Sequence, residues 1–234
     1  MRYWVKEKFK YALSIIIRKI NICDYFKIYE EKAPIEEKNR QAIIENLFSY
    51  EKIDRNEKTN AVLFGYWQSE KYFYKYRNDL LKLFVPKHEY SNEVKKYIKK
   101  IIENECASIH IRRGDYVTLN LTIDIDYYNR AIEYIFRNNK VNIFYIFSDD
   151  IEWVKNNLNH KQNIYYIYVS LSEKSVTKDI DEMMLMSMCS HNIIANSTYS
   201  WWGAWLNRNK KKVVISPKVA FNNKDIIPDD WIRL

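Results

Sequence analysis

From about residue 91 onward, short apolar runs alternate with stretches in which apolar residues recur every three or four positions. The runs predict buried strands over 107–111, 143–147, 164–169, 192–195 and 212–215. The periodic stretches predict helices near 94–102, 128–136, 149–158, 179–189 and 197–206. Continuously apolar strands that alternate with helices are typical of a parallel sheet covered on both faces. The sequence therefore predicts an α/β fold with a Rossmann-type sheet in its second part.

The first ninety residues lack this alternation and have a mainly helical pattern. Pro86 marks a plausible boundary, so we expect one region over 1–90 and a Rossmann-like domain over 91–234. Near the start, the apolar run 12–17 lies among lysines and arginines and is too short to cross a bilayer or to serve as a signal peptide. This basic amphipathic stretch has two interpretations, packing on the body of the protein or peripheral contact with an anionic membrane face.

Composition narrows the class of protein. Of 234 residues, 47% are hydrophobic and 29% are charged, which excludes wholesale disorder. The 38 Lys and Arg exceed the 30 Asp and Glu by eight, a balance that favours an anionic partner. The chain carries no recognised nucleic-acid motif and its charge is spread out, so nucleic-acid binding is the weakest hypothesis. Three cysteines without Cys-x-x-Cys spacing favour a reducing, cytoplasmic location.

Three polar clusters follow the predicted strands. The segment 110–115 closes the first strand, 148–150 the second, and 196–200 the fourth. Because parallel strands end at the same edge of a sheet, and ligands bind outside that edge, these clusters should form one site. The chain has only three glycines. Gly114 and Gly203 lie in or near these clusters, and Gly65 lies in a separate segment rich in aromatic residues.

The residue types in these clusters suit a phosphate-bearing ligand. Arg112 and Arg113 can hold phosphate oxygens bidentately and neutralise charge on a departing phosphate. The hydroxyls and backbone N–H groups at 196–200 lie where a helix begins, which is a favourable place for an anion. Glu182, on the Met-rich predicted helix, either accepts hydrogen bonds from a guanine or is simply solvated.

Two Asp-Ile-Asp triplets, at 124–126 and 179–181, have the form of a metal-binding Asp-x-Asp. Both precede predicted helices, where acidic residues interact favourably with the helix dipole, and neither ends a strand. No His/Cys cluster has ligand spacing either. We therefore expect no metal and no other cofactor.

Four segments together resemble the bacterial α-1,2-fucosyltransferases of glycosyltransferase family 11. These are FGYWQSEKYF at 64–73, SIHIRRGDYV at 108–117, FSDDIEWVKNNL at 147–158 and LMSMCSHNIIANSTYSWWGAWL at 185–206. The resemblance implies a GT-B-like, metal-independent galactoside α-1,2-fucosyltransferase, membrane-associated and active in polysaccharide biosynthesis. It would transfer fucose from GDP-fucose, with inversion, to a galactose-terminated acceptor glycan.

The resemblance also implies roles for individual residues. Catalysis would involve His110, Arg112, Arg113 and Asp115. Donor contacts would come from Arg112, Arg113, Ser148, Asp149, Asp150, Glu182, Asn196, Ser197, Thr198 and Ser200. For Asp115 two roles stay open, general base or orientation of the arginines.

One family feature is missing from the sequence. Nothing in residues 1–60 matches the family's glycine-rich Gly-Gly-x-Gly-Asn-Gln-Met-Phe segment, so the acceptor-side region 1–90 is expected to be shortened or rebuilt. This departure motivates a second hypothesis, a degenerate transferase that binds GDP or GDP-fucose without turnover.

Overall fold

The computed structural model describes residues 40–44, 49–53, 60–64, 67–218 and 225–234. The chain divides into two compact units, Met1–His88 with Phe221–Asp229, and Glu89–Ala220 with Asp230–Leu234. The predicted basic helix near the N terminus, Gly65 and Cys23 lie outside the described residues. Among the described residues, no helix combines the length and the apolar character needed to span a membrane.

The first unit contains two parallel strands, β1 (Arg40–Ile44) and β2 (Asn60–Phe64), in a register that pairs Ile44 with Phe64. Two short 3-10 turns and helix α1 (Arg77–Leu83) follow. The prediction of a mainly helical region therefore missed both strands. Each contains a short apolar run, Ala-Ile-Ile in β1 and Ala-Val-Leu-Phe in β2, and such short runs do not distinguish a strand from a helix.

Asp225 joins three segments of the first unit. Its carboxylate accepts a hydrogen bond from the Tyr50 backbone N–H at 2.9 Å and forms an ion pair with Lys71. Its carbonyl oxygen accepts a hydrogen bond from the Ser69 hydroxyl at 2.8 Å. A segment distant in sequence thus completes the unit built from residues 40–88.

The second unit is a Rossmann-type α/β domain. Its strands are β3 (Ala107–Ile111), β4 (Ile143–Ser148), β5 (Tyr165–Tyr168), β6 (His191–Ile193), β7 (Val214–Ser216) and β8 (Ile232–Arg233). Its helices are α2 (Asn92–Ile102), α3 (Gly114–Thr118), α4 (Ile125–Asn139), α5 (Ile151–Asn157), α6 (Lys178–Met188) and α7 (Thr198–Leu206). The five predicted strands and five predicted helices are confirmed to within three residues, whereas α3 and β8 were not predicted.

All strands of this sheet are parallel, in the order β5-β4-β3-β6-β7-β8. The chain moves outward from β3 in one direction and returns to β6 to move in the other. The switch point lies between β3 and β6, where the carboxyl ends of the strands leave a crevice for a ligand. This sheet confirms the predicted α/β class. Its switch point lies at the edge where the three polar clusters were predicted to meet.

Helices cover both faces of the sheet. On one face α4 packs its apolar side against Ile109, Ile111 and Phe144. The Tyr127 hydroxyl on α4 also donates to the carbonyl oxygens of Ile194 and Ile215, at 2.8 and 3.0 Å. These contacts fix the ends of β6 and β7 at the height where the polar clusters begin.

On the other face α6 and α7 pack closely on each other. A Cβ atom at Gly203 would lie 3.1 Å from the Cβ of Met186, so glycine allows the approach. Beneath them, the buried Asn192 side chain donates to the Ser108 hydroxyl and to the Met186 carbonyl, both at 2.7 Å. It accepts a bond from the Asn207 amide at 2.8 Å. This buried polar network links β3, β6 and both helices that support the site.

Candidate functional site

The two loops that flank the switch point are hydrogen-bonded to each other. The Tyr116 hydroxyl in α3, after β3, donates to the Asn196 carbonyl after β6 at 3.2 Å. The Asn196 side-chain amide donates in turn to the Leu121 carbonyl at 2.7 Å. Its side-chain oxygen is buried without a hydrogen-bond partner among the described residues. The loop after β3 and the loop after β6 form the two walls of the crevice, and these hydrogen bonds hold the two loops at a fixed distance from each other.

Arg112 emerges from the end of β3 and is held by two carboxylates. One Nη atom lies 2.8 Å from Asp115 Oδ1 and the other lies 2.7 Å from Asp149 Oδ2. The Tyr116 ring lies beside the guanidinium, 5.6 Å from ring centroid to Cζ. The carboxylates orient this cation and partly neutralise it, and its side chain remains one-third exposed to solvent.

Arg113 is held in a different way. Its backbone N–H donates to Asp149 Oδ1 at 2.8 Å, and its Nε lies 3.1 Å from Asp150 Oδ2. Its Cζ lies 3.5 Å from the centroid of the Trp153 ring, which is a close cation–π contact. Within the described part of the chain, neither Nη atom of Arg113 forms a hydrogen bond or ion pair.

Gly114 allows this arrangement because the space next to it is occupied. A Cβ atom there would lie only 2.6 Å from Asp149 Oδ2 and 3.9 Å from Arg112 Cζ. Asp149 uses both of its oxygens, one on the Arg112 side chain and one on the Arg113 backbone. The glycine therefore permits one carboxylate to hold both arginines.

Ser148 and Asp150 shape the turn from β4 into α5. The Asp150 backbone N–H donates to the Ser148 hydroxyl at 3.1 Å, and Asp150 Oδ1 accepts from the Trp153 backbone N–H at 3.1 Å. Asp150 is therefore the N-cap of α5 and also, through its other oxygen, a ligand of Arg113.

On the opposite wall, α7 begins at Thr198 with Ser197 as its N-cap residue, and the Ser197 side chain makes no capping bond. The Ser200 hydroxyl is buried, accepts from the Ala195 backbone N–H at 3.2 Å and donates to the Ser197 carbonyl at 3.1 Å. Ser200 thus stabilises the loop, while the positive end of the α7 dipole lies at the crevice.

Glu182 on α6 is largely buried, with 14% of its side chain exposed. The closest cation, Lys178 Nζ, lies 4.0 Å away and forms an ion pair with Glu173. The pKa of Glu182 is raised to about 7, chiefly because of burial; Lys178 opposes the shift and nearby acidic side chains add to it. Among the described residues, no side chain or backbone group donates a hydrogen bond to this carboxylate.

Tyr199 lies between Glu182 and His110. Burial raises the pKa of Tyr199 well above its usual value, and the nearby Glu182 charge adds to the shift. The rings of His110 and Tyr199 lie 5.3 Å apart. Burial, assisted by Arg112, lowers the pKa of His110 to about 3, so its imidazole is neutral at physiological pH. Its Nδ1 is buried without a hydrogen-bond partner in the described part of the chain.

The structure brings five of the predicted site residues into one ionic cluster: Arg112, Arg113, Asp115, Asp149 and Asp150. Asn196 joins the cluster through Tyr116, and Glu182 is linked to His110 through Tyr199. Sequence reasoning missed the aromatic residues Tyr116, Trp153 and Tyr199. The spacing offers one signal, since Trp153 follows the helix cap Asp150 by three positions and therefore lies on the same side of α5.

The Asp-Ile-Asp triplets lie where helices start. Asp124 is the N-cap of α4, its side chain accepting from the Asp126 backbone N–H at 2.8 Å, and Asp179 and Asp181 lie in the first turn of α6. Over the described ranges, no group of three or more His, Cys, Asp or Glu side chains has the geometry to hold a metal ion.

Comparison with known proteins adds independent findings. The sequence profile of glycosyl transferase family 11 matches residues 8–234. An O-antigen biosynthesis glycosyltransferase of Escherichia coli, WbnK, is 40% identical over 190 residues, which is 76% of this chain and 62% of that protein. An alpha-1,2-colitosyltransferase of Escherichia coli is 33% identical over 199 residues, 78% of this chain and 66% of the relative. A galactoside 2-alpha-L-fucosyltransferase of Caenorhabditis elegans is 27% identical over 183 residues, 72% and 51% of the two chains. The matched region thus spans less than two thirds of each of these relatives.

Proposed function

Because the chain belongs to glycosyl transferase family 11, we propose that it is an inverting fucosyltransferase that uses GDP-fucose. The acceptor is the 2-hydroxyl of a galactose-like residue in a surface polysaccharide or oligosaccharide. The observation that carries the proposal is the Arg112–Arg113 pair at the switch point of the sheet, opposite the start of α7.

The phosphates of the donor fit between these two walls. Arg113 offers two Nη atoms that no described residue binds, and Arg112 adds a second positive charge that Asp115 and Asp149 orient. The first turn of α7 offers backbone N–H groups and the Ser197 and Thr198 hydroxyls. Together these groups favour a diphosphate and stabilise the charge that develops when GDP departs.

The guanine fits beside Glu182. A largely buried carboxylate without a hydrogen-bond donor is unfavourable until a ligand supplies one. The N1–H and exocyclic N–H of guanine form such a pair of donors. The neutral His110 and the Tyr199 ring line the path from this carboxylate toward Arg112.

In the transfer step, the acceptor hydroxyl oxygen attacks the anomeric carbon of fucose on the face opposite the diphosphate. The carbon–oxygen bond to the diphosphate breaks, and GDP takes the bonding electrons. Asp115 takes the hydroxyl proton; one of its oxygens is bound to Arg112 and its side chain is 39% exposed. Since the arginines already supply positive charge beside the diphosphate, the proposal requires no divalent cation.

The activities of the relatives indicate candidate donors and acceptors. The 33% identical relative is an alpha-1,2-colitosyltransferase, so a colitose donor is the second candidate at the same site. The 40% identical relative is an O-antigen biosynthesis glycosyltransferase, which supports a surface polysaccharide as acceptor. We propose a cytoplasmic location for the reaction.

Release of GDP from GDP-fucose tests the proposal, with and without a panel of β-galactosides and in the presence of EDTA. We expect acceptor-stimulated release that EDTA leaves unchanged. R112A and R113A should abolish release, while R137A, which removes an exposed arginine of α4, should behave like the wild type. Normal release by both site variants would overturn the phosphate role, and GDP binding without turnover would favour a degenerate transferase.

A further inference from the structure

The guanidinium carbon of Arg113 lies over the ring of Trp153. Its Cζ is 3.5 Å from the Trp153 centroid, while the indole packs against the apolar core formed by α4, β3 and β4. A ring held in this way on α5 provides a fixed surface for the cation.

The same turn of α5 supplies a second contact with Arg113. Asp150 Oδ2 lies 3.1 Å from Arg113 Nε, and Asp150 Oδ1 accepts from the Trp153 backbone N–H. At 3.5 Å from the ring centroid, a guanidinium avoids steric overlap only when it lies roughly parallel to the ring, so the indole restricts its plane. The carboxylate restricts its rotation within that plane. Both restraints leave the two Nη atoms without a hydrogen-bond partner in the described residues.

Arg112 lacks this combination. Both of its Nη atoms are bound to carboxylates, and its aromatic neighbour, Tyr116, lies at 5.6 Å. The two adjacent arginines thus differ. Carboxylates bind both Nη atoms of Arg112, whereas the Nη atoms of Arg113 have a restricted orientation and no partner among the described residues.

We propose that Trp153 is a positioning residue, which acts through Arg113 to hold its Nη fork ready for an oxygen pair of the donor diphosphate. The inference rests on the proposed function, because the ligand of the fork is the diphosphate of GDP-fucose. Trp153 itself does not contact the diphosphate. Without the indole, the side chain would regain its rotamer freedom and lose a desolvated cation–π contact, so GDP affinity should fall about tenfold.

A double-mutant cycle tests this role. GDP affinity is measured for the wild type, W153L, R113M and W153L/R113M, by calorimetry where binding is tight and by ligand-observed NMR where it is weak. W153F is a second variant, since it keeps an aromatic face and should bind GDP better than W153L. The matched control is Y168L, which removes the ring below Lys155, a cation–π contact of α5 outside the site. Thermal unfolding of every variant verifies the fold.

We expect W153L to lose about tenfold in GDP affinity when Arg113 is present and to lose nothing more when Met replaces it. Y168L should bind GDP like the wild type. Equal losses with and without Arg113 would show that Trp153 only supports the fold, and would overturn the positioning role while leaving the proposed function intact. A wild-type protein that binds no GDP would overturn the proposed function, and the positioning role with it.

Discussion

Replacing Gly114 by alanine should loosen both arginines of the site at once. The new Cβ atom would lie 2.6 Å from Asp149 Oδ2, well inside van der Waals contact. That oxygen cannot withdraw freely, because it lies 2.7 Å from an Arg112 Nη atom, and the other oxygen accepts from the Arg113 backbone N–H at 2.8 Å. The carboxylate must therefore rotate away from at least one arginine.

The expected cost follows from the bond that is lost. A hydrogen bond between charged groups contributes about 1.5–3 kcal/mol, less when the groups are partly exposed, as these are. Alanine also favours the helical backbone over glycine by up to about 1 kcal/mol, which offsets part of the loss. We therefore expect the free energy of unfolding to fall by about 1 kcal/mol and GDP affinity to fall about tenfold, since the cations lose their orientation.

Urea unfolding and GDP titration measure the two effects. The matched control is G203A, whose Cβ atom would press on Met186 and cost stability without touching the arginines. The decisive comparison is G114A in the D149A background, where the clash no longer exists and alanine should cost nothing. If G114A binds GDP normally, or if its loss persists without Asp149, then Asp149 does not hold the two arginines as argued.

Two further predictions concern groups behind the crevice. Under the proposed function, guanine N–H groups donate to the ionised form of Glu182, whose pKa is raised to about 7. GDP affinity measured by calorimetry should therefore fall about tenfold for each pH unit below about 7. E182Q should remove this pH dependence. In the free protein the sign is opposite, because a raised pKa means that folding favours the protonated form: the free energy of unfolding should decrease between pH 4.5 and about 7. N192L should lower the free energy of unfolding by about 3 kcal/mol in urea titrations, because it removes the three buried hydrogen bonds that Asn192 forms with Ser108, Asn207 and the Met186 carbonyl. An unchanged midpoint of urea unfolding would contradict the importance of this network.

The central sheet was predictable because strands of a parallel sheet that are buried on both faces consist of continuous apolar residues. β3 matches its predicted bounds, and the helix predicted near 94–102 is α2, whose N-cap Ser91 accepts a bond from the Val94 backbone N–H. The start of β6 was misplaced because His191 looks polar in sequence, yet its ring is buried and accepts a bond from the Val213 backbone N–H. α3 is only five residues long and β8 only two, which is too short for any periodicity.

The position of the site was also predictable, because topology alone puts the ends of β3, β4 and β6 at one edge. Asp115 was already predicted as a residue that could orient the arginines, because it lies three positions from Arg112. The way in which Asp149 and Asp150 hold the arginines was not predictable, since these contacts join loops 36 or 37 residues apart in sequence. Ser200 illustrates the same limit. A hydroxyl near a helix start can face a ligand or its own loop, and only the backbone geometry shows that it bonds to Ala195 and Ser197.

The contact between Asp225 and Tyr50 has a consequence for biosynthesis. The two residues are separated by 175 positions, and the first unit is complete only with the segment that carries Asp225. During translation, residues 40–88 cannot form this contact until residue 225 has left the ribosome, by which time β3 to β7 have already been synthesised. The edge of the sheet that carries the candidate site can therefore form before the unit that precedes it in sequence is finished. This order is opposite to the usual N-terminal-first folding of multidomain chains. A chimera that exchanges the first unit would likewise need two junctions, because a single cut near residue 88 leaves Asp225 with the wrong partner sequence.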